Sequence, residues 1–174
     1  MAAGATYVSI ASTTLGSTAS TVTFSSIAGT YTDLVIIVSA MGIVGSGAGA
    51  NTNFLRFNGD TSSVYSDTRL AAGGSVSSSA NTGAGSMNLG NGNEANTDNL
   101  IYSPHIYNIM NYSNATTYKT VLANYHDLET TGQRVGAVVG LWRSTSAVTS
   151  VTIYTDSSNY RVGSTFSLYG ITAA

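Results

Sequence analysis

The chain is 174 residues long with a mass of 17.8 kDa, the size of a single domain able to bury a core without covalent staples. Only 8 % of its residues are charged, against about a quarter in an ordinary domain, and six Lys and Arg against eight Asp and Glu leave a net charge of −2. No basic cluster is present to hold a nucleic-acid backbone, and the absence of cysteine excludes disulfides and thiolate metal sites.

Hydroxyl groups do the solvating instead. The 25 Ser and 24 Thr, together with 19 Gly, lower helix propensity along the whole chain. Short runs rich in Val, Ile, Thr, Tyr and Phe, bounded by Gly, Ser, Asn and Asp, predict strands. In chain order these fall near residues 7–10, 21–24, 33–40, 53–57, 101–110, 118–125, 134–142, 148–155 and 164–171. About nine strands at this spacing predict an all-β protein, a sandwich or barrel that takes residues 1–174 as one domain.

Two of these runs are apolar on both faces. They are Leu34-Val35-Ile36-Ile37-Val38 and much of 135–141, the latter interrupted by Gly136 and Gly140. An antiparallel sheet usually keeps one face wet, so these strands are expected to lie centrally and to bury their outer face against another subunit. The longest apolar run, 34–44, is about half the roughly 20 residues a membrane-spanning helix needs and is broken by Gly42, so no membrane partner is expected. Residues 71–99 are mostly Ser, Gly, Asn and Ala, with Val76, Met87 and Leu89 the only large apolar side chains. That composition reads as a surface loop, or as an arm with a short strand at 86–89 that orders against a neighbour; either way it adds little to the core.

Candidate chemistry is thin. His105 and His126 are the only side chains whose ordinary pKa suits general base work at neutral pH. His105 follows Pro104 inside an apolar strand pattern and reads as a solvated or core-edge residue. His126, with Asp127 and Glu129, sits in what reads as a strand-to-strand turn, at spacings that match no specific metal-ligand pattern. Asn58-Gly59-Asp60 is a turn signal; a cation site shared with Asp67 is the weaker alternative. The Gly45, Gly47 and Gly49 stretch lacks the Lys-Ser/Thr of a phosphate loop and reads as a flexible loop. Trp142 and the eleven tyrosines read as core or interface packing, a carbohydrate-stacking platform being the alternative. No nucleophile, base and orienting group converge, so neither an enzyme nor a bound cofactor or metal is expected.

Three segments carry a resemblance. They are Phe24-Ser-Ser-Ile27 through Tyr31-Thr-Asp33-Leu34-Val35; Leu55-Arg56-Phe57-Asn58-Gly59-Asp60 continuing through Tyr65 to Arg69; and Gly140-Leu141-Trp142 through Val148 and Val151 to Phe166-Ser-Leu168-Tyr169-Gly170-Ile171. In order and spacing they resemble small virion structural proteins and fibre-tip domains of tailed bacteriophages. The resemblance covers most of the chain outside 71–99, and no single motif in it is diagnostic. It implies an antiparallel β-sandwich of jelly-roll type, a homotrimer, and a place on the outer surface of a virus particle with the major capsid protein as partner. It brings no catalytic residues.

The sequence as given enters strand-like residues by Tyr7 without a shaft or heptads, which favours a free-standing capsid decoration (cement) protein over a fibre head. The alternative is a receptor-binding tip that recognises host surface glycans. The subunit interface is expected at Val35, Ile37, Tyr125, Val139, Trp142, Tyr154 and Tyr169, apolar and therefore insensitive to salt.

Overall fold

A strand with one apolar face needs a second apolar face to cover it, and this chain meets the need with two sheets. The computed structural model describes residues 6–43, 51–92, 94–95, 101–128, 133–156 and 158–172. Its strands are β1 (Tyr7–Thr14), β2 (Thr21–Phe24), β3 (Asp33–Ala40), β4 (Gly42–Ile43), β5 (Asn51–Phe57), β6 (Tyr65–Gly73) and β7 (Ser75–Ala84). They continue with β8 (Met87–Gly92), β9 (Glu94–Ala95), β10 (Ser103–Met110), β11 (Lys119–Leu128), β12 (Gln133–Trp142), β13 (Val151–Thr155) and β14 (Thr165–Ile171). No helix occurs among the described residues.

Eight strands form a large antiparallel sheet in the order β1-β14-β3-β10-β11-β12-β6-β7, and four form a smaller one in the order β2-β13-β5-β8. Strands β4 and β9 make a short parallel pair. Buried positions alternate strictly with half-buried ones in β5 and β13 and with half-buried or exposed ones in β10 and β11, the pattern of strands with one face on a core. The large sheet sends Leu34, Ile36, Val38, Tyr107, Ile109, Val121, Phe166 and Leu168 inward; the small sheet sends Val22, Phe24, Leu55, Phe57, Met87, Leu89, Val151 and Ile153 to the same cluster. Two antiparallel sheets facing across one shared core are consistent with a β-sandwich. Each fully buried aliphatic side chain contributes about 1.5–3 kcal/mol relative to its exposed state.

The described residues form fourteen strands where about nine were expected, and most of the additions come from residues 65–95. The expectation that 71–99 adds little to the core is corrected in one half. Met87 and Leu89 on β8 are fully buried in it, while the side chains of β7 are exposed almost throughout. The two glycines that interrupt β12 have a packing reason. A Cβ on Gly140 would lie 2.0 Å from Met87 Sδ, and one on Gly136 would lie 2.2 Å from the Tyr125 ring. The missing side chains are notches in which those neighbours sit.

The Asn58-Gly59 signal is realised as a tight turn with φ of 53° and 67° at its two residues. Asn58 also works as a staple: its Nδ2 donates to Ala147 O at 2.8 Å, and its Oδ1 accepts from the backbone N–H groups of Thr149 and Ser150 at 2.8 and 3.1 Å. Asn58→Ala loses these bonds and places a Cβ-only side chain at positive φ. It is expected to cost roughly 2–3 kcal/mol, measured as a lower midpoint of urea unfolding with unchanged slope.

Candidate functional site

Strands β3 and β12 are central, as their composition requires: β3 lies between β14 and β10, and β12 between β11 and β6. Their outward sides are only partly covered by the described residues. Ile37 is 41 % exposed and Val139 54 % exposed. Register carries the same character across neighbouring strands. One row runs Ile37, Ile106, Asn124, Ala137, Leu70 and Ser78 from β3 to β7. The row on one side runs Val35, Asn108, Leu122, Val139 and Thr68, and the row on the other runs Pro104, His126, Val135, Ala72 and Val76.

Ile106, Leu122, Leu70, Val135 and Val76 are all exposed in these rows, and none of the three rows contains Asp, Glu, Lys or Arg. Between the rows lies an open depression of about 450 Å³ lined by Leu70, Ala72, Ile106, His126, Val135 and Ala137. The six strands from β3 to β7 span about 24 Å at normal strand spacing, and side-chain width brings the footprint to about 500 Å². That lies within the range of the largest patches on monomeric surfaces, and the polar Asn108, Asn124, His126, Thr68 and Ser78 are interspersed in it.

The seven residues expected at an interface separate by the two-fold period of a strand. Ile37, Val139 and Tyr169 point to this outer face. Val35 shares its parity and pairs with Tyr169, but neighbouring side chains leave it only 4 % exposed. Tyr169 in turn meets Tyr7 edge-on at 6.3 Å. Tyr125 and Trp142 have the opposite parity and lie in the core of this chain, so they are not part of its surface. Tyr154 is on the outer side of the small sheet, stacked on Phe54 at 5.3 Å with the Arg56 guanidinium 4.5 Å from its ring centre. One face of the Tyr154 ring is thus stacked on Phe54, and Trp142 is enclosed and offers no free ring face for a sugar to stack on. Leu122, Leu70 and Ile106, which carry much of the patch, were not singled out in the sequence; Val135 was, as the start of the apolar run 135–141. Their signal was parity with Val139 once β11 and β12 are set in register.

The residues with catalytic or ligand chemistry do not converge. His126 and Asp127 are consecutive in β11 and point to opposite faces of the sheet: His126 Nδ1 lies 2.9 Å from Pro104 O on the outer side, while Asp127 is buried. Glu129 lies outside the described residues, as does the Gly45–Gly49 stretch. Asp60 accepts from Trp142 Nε1 at 2.8 Å and from the Ser62 side chain and backbone, bonds that hold its carboxyl below the usual range. Asp67 is engaged elsewhere, accepting from Asn81 Nδ2 at 3.0 Å and Asn88 N–H at 3.1 Å. Among the described residues no cluster of three His, Asp or Glu exists.

His105 is not at the core edge but inside the core, 1 % exposed, with neither ring nitrogen hydrogen-bonded among the described residues. Burial first, and the nearby His126 second, push its pKa down to about 3. Lys119 is also enclosed; its Nζ donates to Thr117 O at 2.7 Å and Thr145 O at 3.3 Å, and burial lowers its pKa.

Comparison with known proteins gives no matching family model, no similar curated protein and no similar solved structure.

Proposed function

We propose that this chain is a structural protein of a virus particle without enzymatic activity: a capsid decoration (cement) protein of jelly-roll type. In this reading it sits on the outer capsid surface as a homotrimer and stabilises the shell by docking on the major capsid protein. The single observation that supports the reading is the uncharged aliphatic outer face of the large sheet. Such a face gains free energy when covered, and it has no ion pairs for salt to screen. Three copies joined in one body multiply a modest contact into durable attachment.

The test uses capsids stripped of decoration, mixed with purified protein. Binding is expected to persist from about 0.05 to about 0.5 M salt and to raise the temperature at which the shells rupture. Leu122→Lys combined with Val139→Lys places two cations on adjacent strands of the face and is expected to weaken binding at least tenfold, because each charge must be desolvated on docking. Leu122 and Val139 are direct cross-strand partners, so the two ammonium groups oppose each other and the variant is expected to lose about 0.5–1 kcal/mol, yet to stay folded because both side chains are already exposed. Binding that is unchanged in the double variant, or that falls steeply with salt, overturns the reading. Light scattering is expected to give three times the 17.8 kDa chain mass.

A further inference from the structure

Among the described residues the large sheet ends in β7, which has no strand on its far side. It is ten residues long, Ser75-Val-Ser-Ser-Ser-Ala-Asn-Thr-Gly-Ala84, and exposed at nine of them, on both faces. The strand is held only by β6, and its regular pairing runs from Ser75 to Thr82, with the one irregularity confined to the Gly83 end. Natural proteins protect such an edge with lysine, proline, an inward charge, a central bulge or a covering loop. β7 contains no charged residue and no proline, and its bulge is at the end, where it protects nothing.

The other sheet ends differ. β1 carries a register shift in its middle, between Ser9 and Ala11. β2 has four residues, and the pairing of β8 with β5 is itself shifted between Thr52 and Phe54. Among the described residues β7 is therefore the only long, regular and unprotected edge, and the partner in this chain that matches it best is another β7. An unpaired main-chain edge is recognised by an edge of the same kind, and the neutral sequence brings no like charges together across a two-fold axis.

We infer that β7 is a self-recognition edge, pairing antiparallel with β7 of a second copy to join two large sheets into one continuous sheet. An antiparallel register centred on Ser79 sets Ser78 against Ala80 and Val76 against Thr82 on the outward side, all small or β-branched and none charged. Ser78 opposes Leu70 and Val76 opposes Ala72, so the aliphatic face of one copy continues toward that of the next. The edge lies in the plane of the sheet and the docking face lies perpendicular to it, so both can be occupied together. A strand pair of about eight residues buries far less than a standard interface, so the contact is weak between free molecules and grows strong only when copies are held side by side.

Sedimentation of the full chain tests this, with charge placed at the outward positions Ser78 and Ala80, where folding does not need the wild-type side chains. The trimer is expected on dilution, and the wild-type mass is expected to rise with concentration to at least twice that, since each trimer carries three β7 edges. Ser78→Lys/Ala80→Lys and Ser78→Glu/Ala80→Glu are each expected to raise the apparent dissociation constant at least about tenfold by like-charge opposition. An equimolar mixture of the two is expected to restore doubling, because opposite charges then face each other. A wild-type mass independent of concentration, variants that double as the wild type does, or a mixture that fails to double each overturn the inference. Capsid binding by the same variants is a separate readout: retained binding with lost doubling isolates the edge from the docking face.

Discussion

Acidification from pH 6.5 to pH 4 is expected to remove roughly 3 kcal/mol of unfolding free energy through His105 alone. Its folded pKa is depressed to about 3 by burial, while the unfolded chain takes up the proton near the ordinary value of 6.5. The unfolded state therefore binds more protons throughout that window. The stability is fully present above pH 6.5 and drains away as pH falls toward 3. Carboxylates such as Asp60, held below the usual range by hydrogen bonds, lose their stabilisation only at lower pH, so the two effects separate along the pH axis.

His105→Leu makes the assignment specific. It replaces two unpartnered buried nitrogens with hydrocarbon of similar volume, and is expected to match or exceed wild-type stability at pH 7.5. The difference between the two urea-unfolding series is expected to grow by about 1.4 kcal/mol for each pH unit below 6.5. Parallel pH dependence in both proteins excludes a buried neutral histidine.

Trp142→Ala is expected to cost roughly 3–5 kcal/mol and lower the melting temperature by about 10 °C. The indole is enclosed between Phe57, at 5.3 Å, and Tyr65, at 6.3 Å, and its Nε1–H donates to Asp60. Tyr65 in turn accepts from Phe57 N–H at 3.0 Å, so the cavity left by the indole opens beside the hydrogen bond that ties β6 to β5. Trp142→Phe refills most of the volume and is expected to cost about 1–2 kcal/mol, chiefly the lost donor to Asp60. Neither variant is expected to alter binding to capsids once it is folded. A Trp142→Ala protein of wild-type stability that no longer associates places the indole at an interface instead.

The strands with clear alternation were legible in the sequence. β2 and β3 fall where the residue pattern sets them, and Val151 with Ile153 and Phe166 with Leu168 mark the inner faces of β13 and β14. β7 was not legible, because a strand wet on both faces has no hydrophobic period to read. β8 was legible only as one alternative, a short strand at 86–89, and its place in the core was not legible, because its two anchors, Met87 and Leu89, are separated by one polar residue in a Ser- and Asn-rich stretch. The glycines of β12 look like interruptions until the partners across the core, Met87 and Tyr125, are known. The docking face was half legible. Composition marked β3 and β12 as apolar on both sides, yet Val139 and Trp142 are three positions apart and so cannot share a face of a flat strand. His105 was misjudged because nothing local says how deep a strand residue lies once a second sheet covers it.

The pairing of β1 and β3 with β14 sets an order of events on the ribosome. Residues 7–14 and 33–40 need residues 165–171 beside them, so the most aliphatic strand of the nascent chain keeps one open edge until residues 165–171 have been made. Sequence-distant pairing of this kind folds slowly and leaves sticky intermediates for chaperones to hold. Cool growth and slow translation therefore favour soluble yield, and a truncation that removes residues 165–171 turns Leu34–Val38 into a seed for inclusion bodies.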